Sequence, residues 1–326
     1  MRALVSGIVC GLALLSAASA ARADYPEKPL RVIVAWPPGA TTDSAARLVA
    51  EQLAKRLGQP VTVENRAGAN GIIGTQQAAK AAPDGYTLLM ATADTHSINP
   101  HVYRNLPYDA LKGFEPVTLV GKVWFALLAR PELQVASVAD LVAAAKREPN
   151  RVTYGTWGIG STAHVAVALF ETAAGIDLLH VPFQGAAPAT SAFLGGQVNL
   201  IVAGPNNAAV MQKDGRARVL GYGGPQRASR WLPEVPTFSE LGLKGAEGGS
   251  WYGLVVPAGV PVAARERLGR EISAILAKDT EVHQKIAAFG WEVGGGTPAE
   301  LAELMRAEHE RFGRVVRSRG IRLEQP

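Results

Sequence analysis

The 326-residue chain has a single cysteine, Cys10, and it lies in an N-terminal segment expected to be cleaved away. A mature chain without cysteine has no disulfide, no thiol nucleophile and no cysteine-ligated metal. Histidine is scarce as well. The six (His96, His101, His164, His180, His283 and His309) do not group at metal-ligand spacing, and the nearest pair, His96 and His101, aligns poorly on a helix. Aromatic residues make up 6% of the chain, and no run of lysines and arginines stands out. The most basic stretch, 311–322, reads as a solvated helix face, so nucleic acid is not expected as a partner. Loss of Arg2 and Arg22 with the leader lowers the formal charge from +5 to a mild +3. Catalytic signatures are also missing. There is no H-E-x-x-H, and no lysine follows the glycine loops as in a Walker A motif. Ile159 stands where a G-x-S-x-G elbow around Ser161 needs its leading glycine. Asp94 and His96, close in sequence, project in different directions and are a poor acid–base pair. No metal and no cofactor is expected.

What is present begins with a leader. Arg2, the apolar stretch 3–18 and Ala21-Arg22-Ala23 before Asp24 form the pattern of a secretory signal peptide over residues 1–23. The apolar run falls short of the ~20 residues of a spanning helix. Nothing after it reaches that length either, so an exported, soluble product is expected. Cys10 does not make a lipoprotein signal, because Val9 precedes it where a small residue belongs. A chain this long without disulfides can bury roughly 75% of its unfolded surface, and two domains of ordinary size are the natural division.

From Asp24 onward short apolar runs alternate with longer helical stretches, which predicts α/β layering with mostly parallel strands flanked by helices. Strands are expected at 30–36, 61–64, 86–91, 152–154, 178–181, 200–203 and 219–222. Helices are expected at 43–57, 72–82, 138–146, 161–174, 188–194, 206–213, 263–277, 280–289 and 299–316. The long apolar stretch 117–129 reads as a strand leaving the first domain, and 250–256 as the return. Two crossings make a hinged, two-lobed cleft. The expected division is 24–125 plus 254–326 for one lobe and 126–253 for the other. Glycine (35) and proline (21) sit at strand ends, not in low-complexity tracts, which argues against disorder.

Twice an apolar run feeds a glycine- and hydroxyl-rich loop that opens a helix. The first loop is Pro37-Pro38-Gly39-Ala40-Thr41-Thr42-Asp43; the second is Gly155-Thr156-Trp157-Gly158-Ile159-Gly160-Ser161-Thr162. A helix start leaves backbone N–H groups unpaired at the positive end of its dipole, which suits an anion. His164, one turn into the second helix, reads equally as a ligand contact or a buried structural histidine.

The order of further segments resembles the substrate-binding proteins of tripartite tricarboxylate transporters, the Bug family. The carrying segments are the first loop through Arg47, then Val63-Glu64-Asn65-Arg66-Ala67-Gly68-Ala69-Asn70-Gly71-Ile72-Ile73-Gly74, Ala82-Pro83-Asp84-Gly85-Tyr86-Thr87-Leu88-Leu89 and Ile98-Asn99-Pro100. Leu106-Pro107-Tyr108-Asp109, His180-Val181-Pro182-Phe183-Gln184-Gly185 and Leu194-Gly195-Gly196-Gln197-Val198 complete the set. The resemblance implies a type II, Venus-flytrap periplasmic binding protein, working as a monomer, that captures a small organic acid for membrane permease subunits. It places ligand contacts at Gly39, Ala40, Thr42, Asn65, Thr92, Ser161, Thr162 and His164, with Gln184, Gly185 and Ala186 opposite. Trp36, Thr95, His96, Trp157, Gly158 and Ala203 complete the expected site. Three positions depart from the family pattern. Ala40 replaces a second glycine, Trp157 a small polar residue, and Ala203 an aspartate that many relatives carry. Without that carboxylate a less polar ligand tail is expected, packed on Trp36 or Trp157. An enzyme is not expected. The alternatives are a sensor that presents its closed form to a two-component receptor, and a periplasmic serine hydrolase built on Ser161 and His164.

Overall fold

The computed structural model describes residues 25–278 and 280–323; the expected leader, residues 1–23, lies outside them. Two separate sheets organise the chain. In the first, β1 (Leu30–Val34) pairs in parallel with β2 (Val61–Asn65) on one side and β3 (Thr87–Thr92) on the other. Leu30, Val32, Ile33 and Val34 are all buried, as a central parallel strand covered on both faces requires. Beyond β3 the sheet turns antiparallel, through β10 (Gly249–Pro257), β4 (Phe114–Trp124) and β11 (Glu292–Gly295).

The second sheet repeats the plan. Strand β6 (Thr153–Thr156) lies parallel to β7 (Leu179–Pro182) and β8 (Leu200–Ala203), and β5 (Ala126–Ala129) joins β8 to β9 (Arg218–Tyr222) antiparallel. Both sheets are thus mixed, where mostly parallel sheets were expected. The reason is connectivity. A parallel neighbour needs a helix to carry the chain back over the sheet. Strand β4 instead runs straight on into β5, and β10 re-enters from the other lobe, so each meets its neighbours head to tail. The stretch expected as one strand over 117–129 is two, broken at Phe125 where the chain changes sheets.

Helices flank both sheets. The first lobe carries α1 (Thr41–Leu57), α2 (Ile72–Ala79), a short α3 (Asn99–Val102), α8 (Val262–Ile275), α9 (Glu281–Ala288) and α10 (Pro298–Ser318). The second carries α4 (Val138–Arg147), α5 (Thr162–Ala174), α6 (Ala186–Leu194) and α7 (Pro205–Lys213). Local chemistry sets their ends. Gly58, left-handed at φ 67°, stops α1. A reciprocal Thr297–Glu300 capping box starts α10, whose Leu301, Met305, Phe312 and Val316 are buried.

Two chain crossings lie side by side at the lobe boundary. The Phe125 N–H donates to the Gly248 carbonyl (2.9 Å), Gly223 donates to Phe125 (2.7 Å), and Gly248 donates to Gly223 (3.1 Å). A Cβ on Gly223 would sit 2.9 Å from the Gly248 backbone, so the strip needs glycine there. Away from it the lobes are packed together. Val165, Ala168 and Leu169 of α5 share a core with Val102, Leu301 and Phe312 of the first lobe. Arg319 at the end of α10 bonds Glu171 and Asp177 across the boundary, and Arg311 bonds the Glu247 carbonyl.

Candidate functional site

Strand order marks where a ligand belongs. In the first sheet the chain goes from β1 outward to β2, then returns to place β3 on the other side of β1. In the second, β6 is followed by β7 on one side and β8 on the other. Each reversal opens a crevice at the carboxyl ends of the parallel strands, the usual ligand position in doubly wound sheets. The first glycine loop leaves β1 at one reversal, and the second leaves β6 at the other. The residues singled out in the sequence are therefore gathered at strand ends: Trp36, Gly39, Ala40 and Thr42 after β1, Asn65 closing β2, and Thr92, Thr95 and His96 around the end of β3. Trp157, Gly158, Ser161, Thr162 and His164 follow β6, Gln184, Gly185 and Ala186 follow β7, and Ala203 ends β8.

The first loop is built to stay open. Pro37, Pro38, Gly39 and Thr41 are exposed, and Gly39 holds φ at 81°. Ala40 occupies the N-cap of α1 in extended geometry but has no side chain with which to cap. The N–H groups of Thr41, Thr42 and Asp43 are the orphan donors of that first turn. The buried Asp43 carboxylate turns the other way, accepting from Gly39 N (2.9 Å), Arg47 Nε (3.0 Å) and Asn65 Nδ2 (2.8 Å). Burial opposes its ionisation, but those hydrogen bonds outweigh burial and hold the carboxyl below the usual range. Asn65 also donates to the Trp36 carbonyl (3.1 Å) and accepts from Arg47 (2.8 Å). Its side chain therefore braces the loop, and both ends of the amide are engaged.

The second loop is the opposite case. Gly160, Ser161 and Thr162 are buried, and the start of α5 is doubly capped. Ser161 Oγ accepts from His164 N (3.3 Å) and donates to the Gly158 carbonyl (2.7 Å). Asp94, from the first lobe, accepts from Thr162 N (2.9 Å) and from Thr162 Oγ1 (3.3 Å). The anion at this helix start is the protein's own carboxylate. Burial pushes its pKa up to about 6. Beside it, Asn70 bonds both Asn99 Oδ1 (2.8 Å) and the Gly160 carbonyl (3.4 Å). In the sequence Asp94 stood out only as a poor acid–base partner for His96 and as one of the polar residues after 86–91, and Asn70 only within a motif. The one available signal was that several polar residues crowd the end of a strand expected to be buried.

The histidines are structural in their bonding. His164 Nδ1 accepts from Gly160 N (3.1 Å), and its ring stacks on His180 at 3.8 Å, with Tyr154 stacked beyond. Burial lowers the His164 pKa to about 3 and that of His180 to about 4. His180 Nε2 lies 2.6 Å from Thr156 Oγ1. The His164 ring does not reach Ser161 Oγ, so no nucleophile–base pair exists there. His96 is fully buried among Tyr108, Phe114 and Trp251, with Nδ1 on Thr95 Oγ1 (2.8 Å). Burial drops its pKa to about 3. Thr92 and Thr95 bond each other, the Thr92 N–H donating to Thr95 Oγ1 at 3.1 Å. Among the described residues no group of three acidic, histidine or cysteine side chains is placed to hold a metal.

The remaining strand ends are again uncapped. Gly185 precedes α6 and Gly204 precedes α7, neither with a side-chain cap, whereas Ser137, Thr280 and Thr297 cap α4, α9 and α10. Gln184 and Ala186 are exposed, and Ala203 is half-buried. Trp157 is half-buried and meets Phe125 of the crossing strip edge-on at 5.5 Å. Trp36, also half-buried, has an indole N–H without a partner in the protein.

Two mixed sheets, a double crossing and facing strand-end loops define a two-lobed solute-binding protein of the type II periplasmic class. The comparisons agree. The family described as "Tripartite tricarboxylate transporter family receptor" matches residues 45–321. The Bordetella pertussis protein BugT is 34% identical over 303 residues, 92% of each chain. A Rhodopseudomonas palustris protein solved with adipate is 33% identical, with a TM-score of 0.83 over 92% of this chain and 100% of that one. MatC of the same organism, solved with malate, is 30% identical, with a TM-score of 0.79 over 90% of this chain and 100% of that one. The chain belongs to the tripartite tricarboxylate transporter receptor family, the Bug proteins, whose members are substrate-binding receptors.

Proposed function

We propose that this receptor is exported to the periplasm by the leader 1–23, works as a monomer, captures a small carboxylate between its lobes and delivers it to membrane permease subunits. The lobes divide at Phe125 and, in this reading, at Gly248–Gly249, five residues before the division expected at 254, because β10 already pairs with β4 from Gly249. The carrying observation is the uncapped start of α1, exposed at the β1/β3 reversal. One ligand carboxylate sits on the N–H groups of Thr41 and Thr42, with Gly39 allowing close approach. Across the cleft, Trp157, Gly158, the Gln184–Gly185–Ala186 loop and the uncapped starts of α6 and α7 meet the rest of the molecule. Asn65, Thr92, Thr95, His96, Ser161, Thr162 and His164 support these loops from behind. Adipate and malate in solved relatives support a dicarboxylate. Ala203, with Trp36 and Trp157 as apolar walls, favours an aliphatic or aromatic acid over a hydroxy or amino acid.

Native mass spectrometry of the purified protein, followed by a thermal-shift panel with adipate, malate, benzoate and aspartate, tests this reading. Saturation at a hundredfold over Kd adds ~2.7 kcal/mol of stability. Adipate or benzoate should give the largest shift. A clear preference for aspartate overturns the tail assignment, and no shift with any acid overturns the carboxylate reading.

A further inference from the structure

The C-terminal helix and the short α3 enclose a groove of about 530 Å3. Val102, Val316 and Leu323 supply apolar walls, and Arg104, Arg317 and Arg322 line it with three guanidinium groups. All three arginines are exposed, and among the described residues none forms an ion pair. Arg311 of the same helix pairs with Glu308, and Arg319 just past its end pairs with Glu171 and Asp177, while Arg306 and Arg314, outside the groove, are exposed like the three that line it. Among the described residues no acidic side chain lines the groove. Its volume is several times that of a small inorganic anion, and the pairing of apolar wall with fork-shaped cations fits carboxylate side chains on a polypeptide.

The groove also shares a wall with the lobe boundary. Val102 packs so closely on Gly160 of the second lobe that a Cβ there would lie 2.8 Å from its Cγ1. Asn99, on the same short helix, donates to the Asn70 carbonyl (2.9 Å), and Asn70 in turn bonds the Gly160 carbonyl. A rotation of the second lobe that moved Gly160 would therefore pull on the wall of the groove.

We propose that this groove is a docking surface for an acidic segment of the membrane partner, and that its shape depends on whether the Val102–Gly160 contact is made. The proposal rests on the delivery role given above. Charge complementarity selects the partner, and the shared wall lets it distinguish the lobe arrangement in which Gly160 is seated.

The test places a photo-crosslinking benzoylphenylalanine at Arg104 in the full chain, expressed in its host. The expected adduct is an integral membrane protein, identified by mass spectrometry through a peptide rich in Asp and Glu. Combining it with Arg317→Glu and Arg322→Glu should lower the adduct yield at least tenfold, while the melting curve and the adipate thermal shift stay as in the parent. Crosslinks confined to lipid, or to a second copy of this chain, overturn the proposal. So does a membrane-protein adduct whose yield survives charge reversal. Failure of every acid in the thermal-shift panel would instead overturn the cleft reading, and it is read from a separate experiment.

Discussion

Asp94→Asn isolates a buried charge that joins the two lobes. Asp94 is 5% exposed and reaches from the end of β3 to the first turn of α5. Its pKa rises from an ordinary 3.8 to about 6 because burial disfavours the carboxylate. At about 1.36 kcal/mol per pH unit, keeping it ionised costs the fold ~3 kcal/mol. The positive end of the α5 dipole opposes this by up to ~2 kcal/mol, leaving ~1–3 kcal/mol. Asparagine has nearly the same shape: its Oδ1 still accepts from Thr162 N, and its Nδ2 can donate to Thr162 Oγ1.

The sign follows from linkage. With the folded pKa above the unfolded one, the folded state holds more protons between pH 3.8 and 6. The contribution of Asp94 to stability is therefore fully present below that window and is lost as pH rises through it. Urea unfolding of both proteins at pH 4, 5, 6 and 7 should show near equality at pH 4 and the Asn variant ahead by ~1–3 kcal/mol at pH 7. A difference that stays flat with pH refutes the burial argument. A variant less stable at pH 7 shows that the helix start stabilises the carboxylate by more than burial opposes it.

Ala40→Asp should place a carboxylate on the open donors of α1, raising stability by about 1 kcal/mol in a melt and weakening adipate binding at least tenfold by calorimetry. Unchanged binding would remove this helix start from the site. Gly160→Ala, at φ 70° and with a Cβ 2.8 Å from Val102, should cost ~1–3 kcal/mol in urea unfolding. Adding Val102→Ala should relieve part of the steric share, and a strictly additive double variant would disprove the contact. Ala203→Asp should shift the thermal-shift ranking towards aspartate and malate; an unmoved ranking would separate that position from ligand choice. With pKa values of about 3 and 4, His164 and His180 stay neutral from pH 5.5 upward, so NMR titration of their rings should be flat between pH 5.5 and 8.

Much of the fold was legible because strand and helix signals here are local. Strand β8 over 200–203 agrees with expectation residue for residue, and α5 differs by one residue at its start, because apolar periodicity and capping residues act within a few positions. Strand β11, Glu292–Gly295, carried little signal, since two of its four residues are glycine and its place is secured only by pairing with β4. The break at Phe125 was invisible for a related reason. An unbroken apolar run does not reveal that its two ends belong to different sheets.

The site divides along the same line. Loop composition by itself determined that two glycine-rich helix starts could receive an anion, since unpaired N–H groups follow from the chain's own geometry. Only the tertiary structure decided that they are unequal. The α1 start is left open because Asp43, the nearest acid, is drawn back by Arg47 and Asn65 from other turns and strands. The α5 start is closed because Asp94, sixty-eight residues away in sequence, is delivered to Thr162 by the packing of one lobe on the other. Hydrogen-bonding capacity belongs to the residue type, but whether it is free for a ligand depends on neighbours the chain supplies only after it has folded.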